Sequence, residues 1–157
     1  MRKRLITAVQ QAPLPLDQDW LNTEDLAEVE LTSEDAKHPI EFALLPGRGP
    51  SWRAAAPGKQ TIRLLFDHPQ LIRQIKLSFA ETVVERTQEY VLRWSADSGQ
   101  TFREIVRQQW NFSPMGATSQ EENYHVELAG LTVLELCIIP DISGADAYAS
   151  LAQLRIA

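Results

Sequence analysis

The stretch from Arg86 to Phe112, RTQEYVLRWSADSGQTFREIVRQQWNF, constrains the fold of this chain more than any other. Side chains on an extended strand alternate with a period of two, so Tyr90, Leu92 and Trp94 share one face while Val91, Arg93 and Ser95 share the other. Asp97-Ser98-Gly99 then reverses the chain: the Asp side chain bonds its own backbone, and Gly takes positive φ without a steric penalty. The second arm sets Val106, Gln108, Trp110 and Phe112 against Ile105, Arg107, Gln109 and Asn111, which leaves its buried side open, and its far end is expected to leave the sheet. Two long strands and a tight turn make a β-hairpin.

The same device recurs along the chain. Val29–Thr32 reads as a first strand, Gln60–Phe66 places Ile62, Leu64 and Phe66 on one face, and Leu71–Phe79 does so with Ile75, Leu77 and Phe79. Asp67-His68-Pro69 reads as the turn between those two. Tyr124, Val126 and Leu128 alternate, Gly130 reads as a turn, and Leu134, Leu136 and Ile138 alternate again. Residues 111–123 form the longest connection after the leader, and long loops in compact domains are disproportionately functional. About eight short strands, with hardly any helical period after residue 28, specify an all-β antiparallel sandwich. Residues 1–28 form a separate helical or irregular arm, with Asn22 or Thr23 as the N-cap of one short helix and Glu24 and Asp25 in its first turn. That arm either orders itself on the body or docks a partner.

Charge and cysteine content narrow the function classes. Residues 17–41 hold nine acids against Lys37 alone, whereas residues 42–157 hold twelve acids against eleven bases. The acidity is local, and no basic stripe is present, so nucleic acid and anionic membranes are poor partners. The basic start MRKRLITAV has too short an apolar run for a signal-peptide core, and no apolar run approaches the length of a membrane span. Cys137 is the only cysteine and cannot form an internal disulfide; a reducing, cytoplasmic setting is the expectation.

The hairpin, with a strand ending in Trp94-Ser95, the Asp97-Ser98-Gly99 turn and Phe102 three residues on, resembles that of discoidin-type domains, also called coagulation factor V/VIII C-type domains, of the galactose-binding-domain-like jelly rolls. Thr32-Ser33-Glu34, Ala43-Leu44 and Trp52-Arg53-Ala54-Ala55 resemble that family's opening. Gln60–Phe66 and Ile72–Phe79 resemble its paired strands, and residues 149–156 its closing strand. The resemblance covers residues 29–157 and implies a non-catalytic binding module that meets carbohydrate through loops at one end of the sandwich. The alternative on the same fold is an intracellular protein–protein interaction adaptor, so the partner is either a saccharide or a protein.

In such a module an aromatic ring stacks on the apolar face of a sugar while Arg, Asn or Glu supply directional hydrogen bonds. The candidate ligand-binding residues are Trp52, Arg53, Arg86, Trp110, Asn111 and Phe112. Trp52 and Trp110 are open to a second reading, as plugs closing the ends of the core. The family also implies a structural calcium near the first strand, for which Glu34, Asp35 and Glu41 offer oxygen ligands; a solvated acidic loop explains them equally well, and no cofactor is required. His38, His68 and His125 lie in different segments with no nucleophile frame, which argues against an enzyme. Arg63, Arg73, Arg93 and Arg107 fall on outward strand positions, where pairing with Glu89, Glu104, Glu127 and Glu135 across strands is favoured over a basic patch.

Overall fold

A computed structural model describes residues 20–157. The chain runs α1 (Thr23–Leu26), β1 (Ala27–Leu31), α2 (Glu41–Leu44), β2 (Trp52–Arg53), β3 (Gln60–Ala80), β4 (Arg86–Ser95), β5 (Arg103–Phe112), β6 (Ser119–Ile139), β7 (Ser150–Leu151) and β8 (Gln153–Ile156). The main sheet has the order β1-β3-β6-β4-β5, with β8 also pairing β3, and every pairing in it is antiparallel. β2 and β7 form a separate two-stranded ribbon.

The two 21-residue strands make the sandwich. The first part of β3, up to Leu65, pairs the end of β6, while Ile75–Ala80 pairs the start of β6; between them the register shifts three times. Such bulges bend both strands, so each contributes to two layers. One layer is β1, early β3, late β6, β4 and β5; the other is β8, late β3 and early β6. Their apolar faces meet: Phe79 stacks on Tyr90 across the gap with ring centroids 5.1 Å apart, and the Tyr90 hydroxyl bonds that of Tyr124. Ile62, Leu64, Ile75, Leu77, Leu92, Leu134, Leu136 and Ile138 complete the core, all nearly inaccessible.

Several local expectations change. Asp67-His68-Pro69 and Gly130, read as turns, are the irregular middles of β3 and β6, and Gly130 has the positive φ, 73°, that a bulge accommodates. β5 stays paired with β4 as far as Phe112, so its far end does not leave the sheet. The connection read as 111–123 is only residues 113–118, because strands occupy both its ends. After residue 28, where the sequence shows hardly any helical period, Glu41–Leu44 makes one helical turn, α2. β1 begins two residues earlier than read, inside the arm assigned to 1–28, and Asn22 does cap α1, accepting from the Glu24 N–H at 3.1 Å. Most of that arm lies outside the described residues.

On the outer face the cross-strand pairing of arginines and glutamates holds. Glu135, inaccessible to solvent, accepts from Arg63 at 2.8 Å and from Arg93, while Arg107 pairs with Glu89 across strands and with Glu104 along its own strand. Burial pushes the Glu135 carboxyl up, but hydrogen bonds from both arginines and from Cys137 outweigh it, and the net shift is downward. Among the described residues Arg73 and Glu127 form no such pair.

Candidate functional site

One end of the sandwich gathers three connections: residues 81–85, 113–118 and 140–149. Hydrogen bonds tie them together: Glu81 N–H to the Thr118 carbonyl at 2.8 Å, Ile142 N–H to the Thr87 carbonyl at 2.9 Å, and the Gly116 N–H back to Ser113 at 2.9 Å. The organiser beneath them is Arg86. Its side chain is fully buried, yet it is held from four sides. Nε donates to Glu81 Oε1 at 2.9 Å, Nη1 donates to Gln88 Oε1 and to the Pro140 carbonyl, and the guanidinium lies 4.8 Å over the Phe112 ring. Glu81 in turn accepts from the Val83 and Val84 N–H groups. Burial raises the Glu81 carboxyl, but the Arg86 and backbone hydrogen bonds win and lower it. One buried cation thus fixes two of the three loops.

The surface so fixed is apolar and aromatic at its tips. Among the described residues seven large hydrophobics are exposed, and five of them, Val83, Val84, Met115, Ile142 and Tyr148, belong to these loops. Arg53 lies 5.2 Å over the Tyr148 ring, and both are exposed. They reach the same end because Ser150, opposite Arg53 in the β2–β7 ribbon, donates its hydroxyl to the Ala80 carbonyl. Asp141 closes the tip by accepting from the N–H and hydroxyl of Ser143, which hold its carboxyl below the usual range.

The six sequence candidates separate into interior and surface. Trp52 is inaccessible and its indole N–H donates to the Ser33 carbonyl at 3.1 Å; it is a core plug, as the second reading of that residue had it. Phe112 is equally buried beneath Arg86, which itself is 2% exposed, so neither meets a ligand directly. Arg53, Trp110 and Asn111 are on the surface. Trp110, 37% exposed, sits on the outermost strand in register with Gln88, and Asn111 accepts from the Thr87 hydroxyl at 2.9 Å. Burial divides them because Phe112 lies under the loop end whereas Trp110 lies on the rim of the sheet. Tyr148 was missed by the sequence reading; its signal was a lone aromatic in the Ser/Gly loop before the closing strand.

The three carboxylates named as candidate calcium ligands, Glu34, Asp35 and Glu41, have separate surroundings. Glu34 Oε2 accepts from the Ile40 N–H at 2.9 Å, Asp35 accepts from the Lys37 N–H and pairs with His38 at 3.1 Å, and Glu41 is exposed on α2. Backbone and His38 hydrogen bonds hold the Asp35 carboxyl below the usual range. Among the described residues no group of three or more His, Cys, Asp or Glu side chains is placed to hold a metal ion. Near the same segment the buried guanidinium of Arg155, on β8, donates to the Ala43 carbonyl at 3.2 Å. His68 and His125 are exposed on β3 and β6, away from the loop end.

No family model and no curated protein sequence matches this chain. Solved structures do match in shape. The family 32 carbohydrate-binding module of Clostridium perfringens NanJ, in complex with galactose, superposes with a TM-score of 0.64 at 12% identity, covering 87% of this chain and 96% of that one. The fold is the antiparallel β-sandwich jelly roll of that module. A second Clostridium perfringens module, CpGH89CBM32-5 in complex with GalNAc-β-1,3-galactose, matches with a TM-score of 0.60 at 19% identity, covering 87% of this chain and 98% of that one. Chitosan-binding module 1 from the chitosanase/glucanase of Paenibacillus sp. IK-5 matches with a TM-score of 0.60 at 15% identity, with the same coverage. The jelly roll expected from residues 29–157 is therefore the observed fold. Among the described residues no helix is long and apolar enough to cross a membrane.

Proposed function

We propose that this chain is a non-catalytic saccharide-binding module whose ligand lies on the loop end of the sandwich. The observation that carries the reading is the exposed Tyr148 ring, with Arg53 over one of its faces, beside loops that the buried Arg86 ties to the body. An exposed ring offers a stacking face, and Arg53 and Asn111 offer hydrogen bonds to hydroxyls. Three of the structures that share its shape are saccharide-binding modules by their own descriptions, which supports the class and not a particular sugar. Trp110, on the rim of the same end, extends the platform.

Calorimetric titration with galactose, N-acetylgalactosamine and chitosan oligosaccharides tests this. Binding to one of them is expected, weakened by at least about tenfold, or 1.4 kcal/mol, in Tyr148→Ala and in Arg53→Ala, with Trp110→Ala reporting the reach of the platform. No binding at millimolar saccharide would defeat the proposal.

The second reading, a protein-interaction adaptor, is favoured by one feature. Val83, Val84, Met115 and Ile142 are exposed on that same end, and a clustered apolar surface marks a contact site. Val84→Asp would then abolish capture of the partner while leaving saccharide titrations unchanged.

A further inference from the structure

Beneath the loop end, three buried side chains leave hydrogen bonds unmade, and they come from both layers of the sandwich. Arg86 is 2% exposed, Gln88 0% and Gln120 3%. Arg86 Nη2, Gln88 Nε2 and Gln120 Oε1 have no hydrogen-bond partner among the described residues. A buried donor or acceptor in that state has given up its bond to bulk water for nothing, and a charged donor such as a guanidinium N–H loses most.

The unmade atoms are fixed by the bonds that the same side chains do make. Gln88 Oε1 accepts from Arg86 Nη1 at 3.1 Å, which leaves its Nε2 donor over. Gln120 Nε2 donates to Glu122 at 3.4 Å, which leaves its Oε1 acceptor over. Two donors and one acceptor remain.

Strand register puts all three in one interlayer gap. Arg86, Gln88 and Tyr90 are alternate residues of β4, and Gln120, Glu122 and Tyr124 are alternate residues of β6, so each set shares a face. The Tyr90 and Tyr124 hydroxyls bond each other across the gap, and Phe79, opposite Gln120 in register, stacks on Tyr90. From that contact both strands run to the loop end. There Glu81 joins them, donating its N–H to the Thr118 carbonyl and accepting from Arg86. Gln120 thus faces Arg86 and Gln88.

We propose that one internal water molecule bridges the layers here, accepting from Arg86 Nη2 and Gln88 Nε2 and donating to Gln120 Oε1. About three bonds is usual for a buried water. The lone pairs and hydrogens of water match this set, whereas an ammonium has no lone pair for the two donors and a halide has no hydrogen for the acceptor. The bridge ties β4 to β6 directly under residues 81–85 and 113–118. It is independent of the saccharide reading, since its three side chains are buried.

A high-resolution crystal structure of the full chain and water–protein NOE spectroscopy in solution test this. Expected are an ordered density peak within hydrogen-bond reach of all three atoms and an NOE from the Gln88 side-chain amide to a long-lived water. Gln120→Met should abolish that NOE. Because both glutamines hold the same molecule, the drop in urea midpoint in the Gln88→Met, Gln120→Met double variant should be smaller than the two single drops added. A direct Gln88–Gln120 bond with no density between the layers, no long-lived NOE in the native chain, or fully additive drops would each overturn the proposal. The first two readouts use the native chain and hold even where a variant fails to fold.

Discussion

A single guanidinium, that of Arg86, does at residue scale what a loop end needs, which is to satisfy a carboxylate, a glutamine and a carbonyl where water does not reach. Removing one partner of a buried pair leaves the other charge stranded. Arg86→Ala is therefore expected to cost about 3 kcal/mol, at the low end for such pairs because Glu81 keeps some contact with water, and urea denaturation measures it. Asp97 is one of the carboxylates that respond to acid. The Ser95 hydroxyl, the Thr101 hydroxyl and the Thr101 N–H all donate to its carboxylate and hold its pKa at about 2, below the ordinary 3.8. A depressed folded-state value means that the folded chain binds fewer protons, so the contribution is complete above 3.8 and is lost as pH falls toward 2. The gap in unfolding midpoint between the native chain and Asp97→Asn should be constant near neutrality and should close across that window. The turn chemistry that makes Asp97 matter was legible in Asp97-Ser98-Gly99, because those bonds are local. The role of Arg86 was not: its partners Pro140 and Phe112 are far along the chain, and an arginine between Glu85 and Thr87 looks like any solvated strand residue.

Among the elements, β3 and β6 decide the architecture, since each bends through a bulge and serves both layers. The residues that mark the bend, Pro69 and Gly130, are those that also make turns, which is why local reading cut each strand in two. Whether a glycine with positive φ ends a strand or kinks it depends on whether the neighbouring strand continues past it. Gly130→Ala should cost roughly 1 kcal/mol, all of it backbone, because an added methyl there meets nothing within 4 Å. Gly49→Ala tests the opposite case: its methyl would collide with the Phe42 ring, so the ring must move although the backbone is unstrained. Thermal unfolding of the pair separates strand geometry from close packing. Cross-strand pairing of Arg63 and Arg93 with glutamate was readable from alternation; that one buried Glu135 would take both was not, because it depends on β6 lying between β3 and β4.

At the scale of the whole molecule, a β-sandwich of this size is closed by its core and its loop ties, with Arg155 tying β8 to the α2 carbonyl of Ala43. With Glu34 and Asp35 committed to hydrogen bonds of their own, neither millimolar calcium nor a chelator should move the thermal midpoint, whereas Arg155→Ala should lower it; a calcium-dependent rise would show that other oxygens assemble a site. The order of alternating segments, the tight hairpin and the scarcity of helical period after residue 28 determined an antiparallel β-sandwich from the amino acids alone, because strand period and turn chemistry are properties of a few neighbouring residues. Tertiary structure alone decided which aromatics are wet. Trp52 and Tyr148 are both aromatic residues near a β2–β7 ribbon; one fills the core and the other faces solvent, since burial depends on which remote strand crosses above each ring.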